Sequence, residues 1–202
     1  MTPMKSVTVA TALMIALAAC GSGGSGNTPA DRIADAPRLT DARITRELRS
    51  LERQFAGATP TRYADLPQNG TATYNGLVGA EIRAGGESTD LVGRAAIDVN
   101  FSDESVTGSL GRFFTSDKER LSGSLSLRRG IIASDMRDPI TTLRSDVRGR
   151  LTTPDGQAIR LEGTLRGGFL NGTEGTGGEI SGRAVVEDDV GRFDGGLILG
   201  RN

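Results

Sequence analysis

Histidine and tryptophan are absent from this 202-residue chain, and cysteine occurs once. Without histidine, the commonest general base and the commonest zinc ligand are both missing. Nucleophilic triads in their common forms are excluded with them. Aromatic residues make up only 4%, and the net charge is −1. No basic run with interleaved aromatics points to nucleic acid. The acidic clusters at Asp135/Asp138 and Glu187/Asp188/Asp189 do not have the spacing of a calcium loop, and Asp is common in hairpin turns for backbone reasons. Gly172 to Gly178 (GTEGTGG) is glycine-rich but lacks the lysine of a phosphate loop. These absences lead to the expectation of a chain that is not an enzyme and uses no metal or cofactor.

What is present is 36% hydrophobic residues and 29 glycines, enough for one modest core. At the N-terminus, Lys5 precedes the apolar run Val7 to Leu17, which is too short to span a bilayer and ends in small residues. That is the pattern of a secretory signal peptide, expected over residues 1–19. It closes on Leu17-Ala18-Ala19-Cys20, which resembles the lipobox of bacterial lipoproteins. The resemblance implies diacylglycerol on the Cys20 sulfur, cleavage before it and a further acyl chain, such as palmitate, on the new amino terminus. The other reading is a small buried cysteine after an ordinary signal. Three acyl chains give firm attachment where one is marginal, and with Gly21 rather than Asp after Cys20 the lipobox resemblance implies the outer membrane.

Residues 20–37, beginning Gly21 to Asn27 (GSGGSGN), are expected to form a flexible tether. An amphipathic helix is expected over 38–57. Ile44, Leu48, Leu51 and Phe55 recur at helical spacing, Thr40 is placed to cap the start, and Gly57 is placed to end it. Its apolar stripe would dock on the rest of the domain, over one open end, or bind a partner.

From Thr71 onward the period is two, and the pattern apolar-x-Gly-x-apolar returns eight times, centred on Gly76, Gly93, Gly108, Gly123, Gly149, Gly163, Gly182 and Gly195. Hairpin signals fall between them, as at Pro154-Asp155-Gly156. The expected fold is all-β. Eight antiparallel strands over 66–202 close into a soluble barrel, preceded by one amphipathic α-helix and a disordered tether. A two-sheet sandwich gives less reason for an inward glycine in every strand. In a closed barrel, glycine on the concave face relieves crowding where strands bend, and small residues alternate with large ones to fit a narrow interior. Positions flanking the glycines are polar, as at Arg148 and Arg150 or Ser122 and Ser124. Centring such charges in lipid would cost about 2–4 kcal/mol per arginine. The polar face therefore belongs in water and the apolar face inside.

Several segments resemble the transferrin-binding protein B-like barrel lipoproteins. These are Leu66-Pro67 with Gly70 to Gly76 (GTATYNG), Gly167 to Gly172 (GGFLNG) with Gly177 to Gly182 (GGEISG), and Phe193 to Leu197 (FDGGL) with Gly200-Arg201. The resemblance implies a single-barrel member held at the outer membrane on its periplasmic or cell-surface face, monomeric, and binding a protein. Transferrin and an iron site are not carried over, because there is one barrel, no handle domain before it, and Leu170 stands where an aromatic is common. The alternative is a small-ligand carrier like the lipocalins, which the large inward set from Tyr74 to Leu197 disfavours.

The widest interval between strand glycines, Gly123 to Gly149, contains Arg129, Ile131, Ile132, Met136 and Arg137. As a long connection with apolar residues flanked by arginines, it is the candidate partner-binding loop. The other reading is a fourth strand that runs on through Ile132, with the remainder folded over the barrel mouth.

Overall fold

The computed structural model describes residues 28–202 except 136 and 137. The signal segment, Cys20 and most of the tether lie outside the described residues, as do Met136 and Arg137.

Eight strands close into one antiparallel barrel in chain order. They are β1 (Thr71–Ala84), β2 (Glu87–Asn100), β3 (Ser105–Thr115), β4 (Ser122–Asp135), β5 (Asp138–Thr152), β6 (Ala158–Leu170), β7 (Gly175–Val186) and β8 (Asp189–Arg201). Ten residue pairs, Tyr74↔Arg201 to Arg83↔Arg192, join β1 to β8 and complete the circle. Each of the eight repeated glycines falls in its own strand, on the inward side of the register.

The interior alternates large with small around the circumference. One row runs Val147, Gly163, Gly182, Phe193 and Ile82 across five consecutive strands. Another runs Leu125, Gly149, Leu161, Ala184 and Gly191. The rings of Tyr74, Phe169 and Phe101 stack at tilted angles, with centroids 6.0 and 5.8 Å apart. The Tyr74 hydroxyl donates to Thr173 O at 3.1 Å, and burial pushes its pKa up to about 12. The volume in which a carrier would hold its ligand is packed with these side chains.

Two reasons for the inward glycines appear here. A Cβ on Gly76 or Gly163 would collide with the backbone of the neighbouring strand, at Ile198 O and Ser181 O. A Cβ on Gly93 would meet the Phe113 ring at 2.6 Å, and on Gly108 the Leu127 methyl at 2.7 Å. Close backbone approach therefore bears on all four positions, since Gly111 O and Ala96 O lie 2.9 and 2.8 Å from a Cβ on Gly93 and Gly108, and at these two a larger side chain fills the space as well.

The N-terminal part departs from expectation. Residues 29–35, expected as tether, form helix α1 (Pro29–Asp35). Thr28 and Asp31 make a reciprocal capping box, with Pro29 in the first turn. These satisfy the helix's unpaired N–H groups, and a glycine-serine composition that ends at Asn27 does not extend this far. Helix α2 (Asp41–Gln54) starts from Thr40 as expected. It does not cover an open end but lies on the outer wall. Its Phe55 ring occupies the space a side chain at Gly175 would need, and Leu51 and Gln54 sit over Gly200. Only the C-terminal half of its stripe is docked, and Leu48 stays 39% exposed.

The barrel mouth near the start of β1 is closed instead by the link between α2 and β1. β5 and β6 pair only between Leu143↔Gly167 and Thr152↔Ala158. Beyond that they part, and residues 60–62 enter the gap. Thr61 N donates to Phe169 O at 2.9 Å, and Thr61 O accepts from Thr141 N at 3.0 Å. A short 3-10 turn (Tyr63–Asp65) follows, and Leu66 joins the core.

Candidate binding surface

The interval read as a long loop is a hairpin of two long strands. β4 continues to Asp135 and β5 begins at Asp138. The fourth strand does run on through Ile132, and the described residues beyond it belong to β4 and β5 instead of folding over the mouth. The reason is a bulge. Leu125 and Leu127 face inward, the register shifts between Arg128 and Ile131, and Arg129 takes φ +51°. One extra residue reverses the alternation, so Gly130 and Ile132 face inward. Read without the bulge, two adjacent isoleucines break the period of two.

This hairpin overshoots its neighbours. β3 pairs with β4 only as far as Ser105↔Ile131, and β6 leaves β5 at Leu143. The sequence-selected residues divide accordingly. Ile132 is 3% exposed and belongs to the core, whereas Ile131 is 51% exposed on the outer face. Arg129 projects into solvent and pairs with Asp146 on β5. Ile140, at the projecting end of β5, is 38% exposed.

Beside the hairpin, the rim holds a cleft of about 280 Å³ between Tyr63, Leu66–Gln68 and the β2–β3 turn at Phe101–Glu104, with Ile132 in its lining. The Tyr63 hydroxyl donates to the Glu104 carboxylate across this cleft. That hydrogen bond, then desolvation and the nearby negative charge, raise the Tyr63 pKa. Glu104 itself has φ +55°. The cleft was not foreseen, because its walls come from two segments about 40 residues apart in the chain, brought together only by the closing link. The arrangement offers apolar surface from Leu66, Phe101 and Ile132, one aromatic hydroxyl and the two carboxylates of Asp103 and Glu104.

A second concavity of about 550 Å³ lies beneath the raised start of α2, between Leu39, Ile44, Val92 and Phe114. Arg94 on β2 pairs with Glu47 of α2.

No family model matches the chain, and no curated protein matches it. Solved structures similar to it include a single-substitution mutant of the vaccine antigen Transferrin Binding Protein B from Haemophilus parasuis Hp5, with 15% identity over 71% of this chain and 28% of that one, at a TM-score of 0.48. A double mutant of the same antigen gives 16% identity with the same coverage and a TM-score of 0.44. Intact Ap-TbpB, with its N and C lobes, gives 17% identity over 71% of this chain and 29% of that one, at 0.43. The chain thus spans less than a third of the length of these proteins.

Proposed function

We propose that the chain is an outer-membrane lipoprotein, anchored through acyl groups on Cys20, whose barrel binds a protein at its rim. The observation that carries the binding reading is the overshooting β4–β5 hairpin, which presents Ile131 and Ile140 beside the cleft floored by Ile132. Exposed apolar side chains next to a concavity with a polar edge are what a docking site offers. The anchor reading rests on Leu17-Ala18-Ala19-Cys20 holding the single cysteine of the chain.

Two variants test the binding reading. In pull-downs from intact cells, Ile131→Ser should lose the partner that the wild-type chain captures, with its melting temperature unchanged. Ile132→Ser should lower the melting temperature, because its side chain is core. Equal capture by wild type and Ile131→Ser would move the site elsewhere. For the anchor, mass spectrometry of the mature chain should find acyl groups on Cys20, and Cys20→Ser should release folded protein from membranes. An unmodified Cys20 in the mature wild-type chain would sink the anchor without touching the binding reading.

A further inference from the structure

The outer wall of β4–β7, away from both helices, carries a groove of about 910 Å³. Arg128, Arg148, Arg150, Arg160 and Arg183 line it, with Glu162 the single acid in the lining. Arg150 on β5 lies directly opposite Arg160 on β6. Like charges placed opposite each other across a sheet oppose folding.

Some arginines of the chain hold carboxylates. Arg32 holds Asp98, Arg83 holds Glu81 and Asp194, Arg94 holds Glu47, and Arg129 holds Asp146. Among the described residues, none of the five groove arginines has a carboxylate within ion-pair distance. Arg128 donates only to Ser126 Oγ, at 3.1 Å. The choice of arginine over lysine is no signal, because the chain uses 22 arginines and two lysines. The signal is the placement: five arginines and a single acid, Glu162, which lies opposite Arg148 and Arg183 in the register, converge on one concavity in a chain of net charge −1.

The lining narrows the ligand. Its remaining side chains are Ser124, Ser126, Val185 and the edge of Leu161, with no aromatic ring. A protein partner would call for an apolar or aromatic centre, and single-stranded nucleic acid would call for stacking rings. A flat bilayer meets the crests of a convex wall, not a groove. Cations repeating at about 5 Å across strands and about 7 Å along them, with serine hydroxyls between, fit a hydrated chain of negative charges.

We propose that this groove binds an extended anionic saccharide, whose phosphate or carboxylate groups pair with Arg150 and Arg160 and are flanked by Arg128, Arg148 and Arg183. The proposal is independent of the rim site. It is tested with the full chain against polygalacturonate and a phosphorylated mannan, with neutral dextran as the blank. Both anionic polymers should bind and dextran should not, and the binding should weaken steeply as salt rises. Arg150→Ser with Arg160→Ser should lower the affinity at least about tenfold at an unchanged melting temperature. Arg43→Ser with Arg46→Ser removes the same charge from α2 and should leave affinity within about twofold. If the first pair compromises folding, Arg148→Ser with Arg183→Ser gives the same reading. Equal losses from the groove and helix pairs would overturn the proposal, since net charge alone would then explain binding. Absence of binding to both polymers would overturn it as well. So would binding that rises from phosphatidylcholine to phosphatidylglycerol vesicles while both polymers fail, because a lipid surface would then be the occupant.

Discussion

The two outer walls of this barrel differ in the size of what points outward. Under the helices, several outward positions are small: Ala96 on β2, Ser109 and Gly111 on β3, Gly175 on β7 and Gly200 on β8. Ala96 and Ser109 are buried although they face away from the core, because the helical strap covers that wall. Ile33 of α1 approaches the Gly111 position to 3.3 Å, and the Phe55 ring fills the Gly175 position. On the bare wall, the outward positions carry Arg148, Arg150, Arg160, Glu162 and Arg183, all exposed. Buried small residues on the outer face therefore mark where the N-terminal strap rests, whereas Ser124 and Ser126 on the bare wall are equally small but not buried.

The comparison also separates how charge is used. On the covered wall, arginines are fasteners. Arg32 reaches Asp98 and Asn75 from α1, Arg94 reaches Glu47 and Pro37 O, and Arg112 donates to Ala36 O. On the bare wall, Arg129 pairs with Asp146 and Arg128 donates to Ser126 Oγ, but among the described residues the five groove arginines hold no carboxylate within ion-pair distance.

If the walls differ only on the outside, interior changes beneath either should cost the same. Gly76 lies beneath the covered wall and Gly163 beneath the bare one, and a Cβ on either collides with the neighbouring strand's backbone. Each Gly→Ala should cost about 3 kcal/mol or more, since backbone cannot step aside as a side chain does. Outward Gly79, where a Cβ would meet only Leu91 O at 3.9 Å, should accept Ala within about 0.5 kcal/mol. Chemical denaturation of the three variants checks this. A large loss at Gly163 alone would mean that the strap relieves strain at Gly76.

Phe55→Ala comes next in size. Phe55 is 9% exposed and its ring fills the space that Gly175 leaves open, so truncation should cost about 2–3 kcal/mol, somewhat under the range for a central core phenylalanine. The loss should appear first as faster hydrogen exchange in α2 while the strands stay protected. Simultaneous exchange in both would mean that strap and barrel unfold as one unit.

Tyr74 tests the shared interior by pH. Its folded-state value is raised from about 10 to about 12 by burial. Its contribution is therefore intact below pH 10, where both states hold the proton. It is lost between pH 10 and 12, where the unfolded chain ionises and the folded one resists. The full effect is about 2–3 kcal/mol, and Tyr74→Phe should flatten that limb of a stability-versus-pH curve. With no histidine in the chain, the curve should also be level between pH 6 and 8.

How much of this was legible follows from what each segment's signal depends on. Strand count, barrel closure and the inward face were readable because Gly76 through Gly195 repeat one local pattern with the period of two intact. The hairpin is legible in part: a fourth strand running through Ile132 is what forms, but the pairing beyond it is hidden because the bulge at Arg128 to Gly130 spends one residue and inverts that period. The capping pattern of Thr28, Pro29 and Asp31 was visible but stood beside a glycine-serine run that set the expectation. The docking place of α2 was not readable from the helix. It was written on the other partner, in the outward Gly175 and Gly200, and only the register brings those two together.

Charge gives the two smallest expected effects, and they have opposite signs. On the covered wall, Glu47→Gln leaves Arg94 8% exposed with its acid gone and its Nε already lacking a partner. Removing one partner of a buried pair can cost 3–5 kcal/mol. Glu47 is 27% exposed at its side chain, so solvent screens much of that, and about 1–2 kcal/mol is expected. On the bare wall, Arg160→Ser should stabilise the barrel by a few tenths of a kcal/mol, because it removes the like charge facing Arg150. Salt separates the two. Raising ionic strength screens exposed charges more than buried ones. It should erase the gain from Arg160→Ser and leave most of the Glu47→Gln loss in place. A gain at Arg160 that persists in high salt would mean that the groove arginines strain the sheet by packing rather than by charge.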